Sequence, residues 1–122
     1  MDIKSYRDLR VWQSGMDLVV LVYEISERFP SKEIYGLTSQ IRRAVVSVPS
    51  NVAEGHTRES TKEYLHHLSI AQASLAEVET QIEIAFRLNY CVQEETSKIP
   101  NHSASLGKQL YSLRNALQAR RT

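Results

Sequence analysis

Apolar residues recur along most of this chain in steps of three and four, the period of a helix with one buried face. Leu9, Trp12, Met16, Val19 and Tyr23 form such a stripe, widened by Val11, Leu18, Val22 and Ile25, and predict a first helix from about Asp8 to Arg28. Pro30 stops it, because its ring disfavours helical geometry at Phe29 and removes a donor. Leu37, Ile41, Val45, Val48 and Val52 predict a second helix that runs through Pro49, with a bend near Val45 to Pro49, and ends at Gly55 in a left-handed cap. Ser60 and Glu63 stand in capping-box spacing before Tyr64, Leu68, Ala71, Leu75, Val78, Ile82 and Ala85, so a third, long helix follows, closed by a left-handed Asn89.

The segment "EETSKIPNHSASLG" holds Pro100, Gly107 and several turn formers before Leu106, Leu110, Leu113 and Leu117 restore a helical stripe. A fourth helix is therefore expected from about Ser103 to Arg120, with the part before Pro100 a separate helical turn or irregular. No strand pattern competes. The simplest architecture is an all-α, single-domain bundle over residues 1–122, four helices in up-down-up-down antiparallel order.

Composition narrows the functional classes. With 122 residues, 42% hydrophobic and 24% charged, the chain can bury one core. A formal net charge of +1 excludes a chain-wide polyelectrolyte surface, so nucleic-acid binding would rely on local clusters of Lys and Arg. A single cysteine, no charged-then-apolar leader and no apolar run of membrane-spanning length point to a reducing cytoplasm and no membrane.

Most candidate chemistry fails on spacing. Glu63 and His66 make one Glu-x-x-His pair, but a di-iron bundle needs two, and neither His56 nor His102 has a Glu three residues before it; no metal and no cofactor are expected. Cys91 follows a helix C-terminus, where the dipole opposes a thiolate. "GKQ" at Gly107 lacks the rest of a phosphate loop, and Trp12 and Met16 read as core. No nucleophile, base and oxyanion donor converge, so no catalytic residue and no enzyme activity are expected.

The second helix is different. Gln40, Arg43, Ser47, Asn51 and Glu54 form a polar row about 21 Å long, too long for one active site and suited to an interface. The competing reading is a solvated face, but Ala44, Val46, Pro49 and Ala53 beside the row give it few flexible charged chains. If the row is an interface, Arg43 should pair with Glu54 of a neighbouring subunit or with Glu77, Glu79 or Glu83 of the third helix. Arg42, rotated by about 100°, points elsewhere and, with Arg43, Arg58 and Lys62, offers local basic charge for nucleic acid, as do Arg114, Arg120 and Arg121.

"FPSKEIYGLTSQIRRA", the "SVPSNVAEG" that follows and "SLAEVETQIEIA" give Leu9 to Tyr90 a close resemblance to the four-helix-bundle proteins encoded in intervening sequences of bacterial 23S ribosomal RNA genes. The resemblance implies a ring-shaped homopentamer without established enzymatic activity. It also implies kinship with the accessory variability protein of diversity-generating retroelements, a pentamer that works with a reverse transcriptase and nucleic acid. Asn89 stands where that family usually has Gly, and the stretch from Pro100 to Ser105 departs from its usual fourth helix. Two functions compete: an oligomer that binds RNA, DNA or a nucleic-acid enzyme, and a structural scaffold that binds another protein with no nucleic-acid contact.

Overall fold

A computed structural model describes residues 3–92 and 97–121. Residues 93–96, within the link expected to be a turn or irregular, lie outside the described residues, as does the side chain of Arg121. The described residues contain four long helices and no strand: α1 Arg10–Ser26, α2 Leu37–His56, α3 Thr61–Arg87 and α4 Lys98–Arg121. Each packs against the helix before and after it, and α4 returns against α1. None is long and apolar enough to cross a membrane.

The core lies along one stripe of each helix. On α2, all of Leu37, Ile41, Val45, Val48 and Val52 are buried, and on α3 so are Leu68, Ala71, Leu75, Val78, Ile82 and Ala85. Leu106, Leu110 and Leu117 complete it from α4. On α1 the stripe is rotated from the expected one. Val11, Leu18, Val22 and Ile25 are the buried residues, whereas Met16, Val20 and Tyr23 are 41%, 55% and 39% exposed. Trp12 is half-buried, with its ring edge-on to Tyr6. Met16 is therefore not a core residue.

Gly55 is not a left-handed cap: α2 passes through it to His56, and its φ is not positive. Its role is close approach. A Cβ there would stand 2.8 Å from His67 Cβ and 2.9 Å from Tyr64 Cδ1, so only glycine lets α2 and α3 meet at this point. α4 begins at Lys98 rather than Ser103, with Pro100 as its third residue. A proline fits there because first-turn N–H groups have no intrahelical partner.

Pro49 lies inside an unbroken α2 and is buried. It faces Gly15 of α1, whose missing side chain leaves room for the proline ring, with a built Cβ only 3.3 Å from Pro49 Cβ. The proline thus packs into the α1–α2 crossing. Asn89 does adopt the left-handed conformation after α3, at φ 61°.

Side chains fasten the helix ends. Ser60 Oγ accepts from Glu63 N at 3.3 Å at the start of α3. The His102 Nε2–H donates to the Ser14 carbonyl at 2.7 Å, joining α4 to α1, and Ser103 Oγ donates to Glu79 of α3 at 2.8 Å. Glu33, in a short turn before α2, accepts from Leu37 N through one carboxylate oxygen and from the Tyr90 hydroxyl through the other.

Candidate functional site

The polar row of α2 meets a second row on α3. Steps of three and four place Gln40, Arg43, Ser47, Asn51 and Glu54 on one side of α2, while His67, Ser74 and Gln81, seven residues apart, line the facing edge of α3. Ser74 Oγ donates to Ser47 Oγ at 2.9 Å. Asn51 Nδ2 donates to the Ser47 carbonyl at 2.8 Å and to its hydroxyl oxygen at 3.0 Å. Asn51 Oδ1, left as the acceptor, faces His67 Nδ1 at 2.9 Å, which assigns the imidazole proton to Nδ1.

The row therefore divides. Ser47 and Asn51 are half-buried and engaged within the chain, whereas Gln40, Arg43 and Glu54 are exposed. Arg43 donates to Ser39 Oγ at 3.2 Å, and of its expected carboxylate partners on α3, Glu79 accepts from Ser103 and Glu83 from Arg87 at 2.9 Å. Glu77 remains beside it. Gln40, Arg43 and Ser47 on α2 and Ser74, Glu77 and Gln81 on α3 surround a notch of about 260 Å³. Gln81 is 8% exposed and its Oε1 has no hydrogen-bond partner.

Arg42 departs from its expected role as free basic charge. Its Nε donates to Ser26 Oγ at 2.8 Å, its Nη2 lies 3.4 Å from the Tyr23 carbonyl and 3.5 Å from Glu27 Oε1, and its guanidinium stacks 4.6 Å above the Tyr23 ring. Placing a cation beside the Tyr23 carbonyl, which also accepts from Glu27 N and Ser26 Oγ, complements the negative end of the helix. Arg42 is thus a latch between α2 and α1.

Arg58 and Lys62 are exposed at the turn from α2 to α3, around an open depression that they share with Glu59, Glu63 and His66. The two cations sit among two carboxylates, so this corner has little net field. His56 packs its ring edge-on to Tyr64, and His102 is engaged with Ser14. Among the described residues no three His, Cys, Asp or Glu side chains gather in a metal-binding group. Cys91 is buried after α3, and burial pushes its thiol above the ordinary range.

Reading α2 alone misses His67, Ser74 and Gln81. Their spacing of seven, set within a helix whose apolar seam also advances by sevens, is the signal that could have found them.

A model of the 23S rRNA-intervening sequence proteins matches residues 7–112, a span that extends past Tyr90 and deep into α4. A crystal structure of a protein of unknown function from the S23 ribosomal protein family of Bacteroides thetaiotaomicron VPI-5482 superposes with a TM-score of 0.76 at 23% identity, covering 85% of this chain and 97% of that one. At that identity the likeness is one of fold. No match is found among curated proteins. With the family pattern running through all four helices, the chain belongs to the 23S rRNA-intervening sequence protein family.

Proposed function

We propose that the protein is a non-enzymatic, homo-oligomeric up-down-up-down bundle, assembled as a ring of five, that binds nucleic acid or a nucleic-acid-processing partner. The opposite order of the Ser47–Ser74 and Asn51–His67 pairs along α2 and α3 supports the antiparallel arrangement. Assembly is supported by Met16, Val20 and Tyr23, an outward apolar stripe on α1 that a lone bundle leaves wet, and by the exposed part of the polar row, Gln40, Arg43 and Glu54.

The observation that carries the nucleic-acid reading is the charge of α4. Between Lys98 and Arg121 the sequence holds Lys98, Lys108, Arg114, Arg120 and Arg121 and neither Asp nor Glu. Lys98, Lys108 and Arg120 are exposed. A ring repeats this helix around its axis, and multivalency turns weak phosphate contacts into useful affinity. Sedimentation to obtain the assembled mass, followed by titration with single-stranded RNA across a salt series, tests the proposal. A ring whose affinity falls steeply with salt is the expected result, and a monomer, or no binding at low salt, would overturn it. The alternative, a scaffold for another protein, is favoured by Tyr35, which is 95% exposed beside the exposed Ile34, and no RNA binding by an intact ring would select it.

A further inference from the structure

α4 turns one long stripe to solvent. Asn101, Ala104, Lys108, Tyr111, Asn115 and Gln118 recur in steps of three and four, which sets them along one side of the helix, and all six are exposed. Because α4 packs on α1 and α3, this stripe lies across the bundle from α2 and its polar row. Tyr111 is the member that solubility does not call for. Of the six tyrosines, four have engaged rings: Tyr6 with Trp12, Tyr23 with Arg42, Tyr64 with His56 and Tyr90 with Phe29. Tyr111 is 61% exposed, and among the described residues its ring meets no other ring or cation and its hydroxyl has no hydrogen-bond partner. Tyr35 is also open, but it follows Glu33 in a turn, where a carboxylate opposes any phosphate.

The charge around Tyr111 is of one sign. Lys108 stands three residues before it and Arg114 three after, each about 60° from it around the helix and the two about 9 Å apart along the axis. Arg114, half-buried, donates through Nη1 to Gln72 Oε1 of α3, a neutral partner, and forms no ion pair among the described residues. A guanidinium held in place by an amide keeps its charge for an anion. Glu79, the carboxylate that α3 sends to α4, accepts from Ser103, eight residues before Tyr111 and about 12 Å from it along the axis.

We propose that α4 binds single-stranded nucleic acid, with one unpaired base stacked on the Tyr111 ring and the phosphates on either side of it held by Lys108 and Arg114. The inference rests on the nucleic-acid reading above and names its substrate class. A duplex offers phosphates alike, but its paired bases keep their faces inside the stack and give Tyr111 nothing to cover. Asn115 and Gln118, whose amides both donate and accept, suit the edge of any base, so the site tolerates sequence. RNA and single-stranded DNA share the base face and the phosphate, and the 2′-hydroxyl is what separates them.

The test is titration of the intact assembly, across a salt series, with a labelled RNA of about 12 nucleotides, DNA of the same sequence, and each as a duplex. Single strands should bind more tightly than duplexes of equal length. Tyr111→Ala should weaken single-strand binding about tenfold while melting, the salt slope and duplex binding stay as they are, and Tyr111→Trp should keep the affinity. Lys108→Ala should instead lower the salt slope by about one. Equal losses for RNA and DNA assign the contact to base face and phosphate, and a larger loss for RNA adds its 2′-hydroxyl; either supports the proposal. Salt-dependent binding that is indifferent to Tyr111→Ala overturns it and leaves the α4 charge reading standing, whereas no binding of any strand at low salt overturns both. A Tyr111→Ala variant that loses duplex and single strand alike, or that changes the sedimenting mass, also overturns it, the latter because the ring would then lie between copies of the chain.

Discussion

The Tyr90 hydroxyl donates to Glu33 Oε2 at 2.7 Å across 57 positions of sequence, while the other oxygen of the same carboxylate accepts from Leu37 N at 3.0 Å. One side chain thus caps the first turn of α2 and holds the exit of α3. Gly36 makes this possible, since a Cβ at that position would lie 2.6 Å from Glu33 Oε1.

This relationship predicts a pH response. The Leu37 N–H first, and the Tyr90 hydroxyl second, hold the Glu33 carboxyl below its ordinary range. A carboxylate with a lowered folded value stabilises the fold above the ordinary carboxylate range, and the contribution disappears as pH falls through that lowered value. The hydrogen bond to Glu33 raises the Tyr90 hydroxyl, so its contribution is present at neutral pH and is lost only as alkaline pH passes the raised value. Glu33→Gln should melt below the wild type at pH 7, and the gap should narrow on acidification. Melting curves across pH check this, and a gap that widens in acid would contradict it.

Glycine-to-alanine substitutions should have opposite signs at two sites. At Gly55 the new methyl meets Tyr64 and His67, and overpacking of this kind costs about 1–3 kcal/mol, more than the roughly 1 kcal/mol that alanine contributes to a helix. At Gly107, inside α4, the nearest atom is Leu75 Cδ2 at an ordinary 3.7 Å, so Gly107→Ala should stabilise by about 0.5–1 kcal/mol. Urea unfolding of the two variants measures both.

Arg42→Ala should lower stability by about 1–2 kcal/mol, because it removes a charged hydrogen bond to Ser26 and the stack on Tyr23. Arg42→Lys should recover only part of this, since an ammonium cannot hold the planar stack and the fork together. Equal stability of Lys and wild type in chemical denaturation would contradict the latch.

Val20→Lys tests the apolar stripe of α1. Asp17 and Glu24 lie three residues before it and four after it, so a lysine at this exposed position suits the helix itself. The expected outcome is a 14.0 kDa monomer with unchanged helical circular dichroism. An assembly that sediments like the wild type would remove this stripe from the interface.

The elements differed in how much the sequence disclosed. α2 and α3 were legible because their apolar residues occupy a single stripe. In α1 the run Leu18, Val19, Val20, Leu21 and Val22 covers every direction of the helix, so the pattern does not fix which side turns inward, and Met16 and Tyr23, which share the apolar spacing, face out. Pro100 signals a break in the sequence, but in the first turn of α4 it breaks nothing. At the candidate site the row on α2 could be read from its spacing. Which of its members would be engaged depended on Ser74 and His67, and such pairing is a property of two helices in register, not of either alone.

Cys91, the single cysteine of the chain, is buried at the exit of α3 with its thiol shifted away from the reactive thiolate. A closed bundle shields it, so an alkylating reagent added in excess can reach it only when that corner opens. The labelling rate is then a clock for local opening that needs no introduced probe. Run with and without RNA, the same clock reads whether a bound strand tightens the end tied by Glu33 and Tyr90.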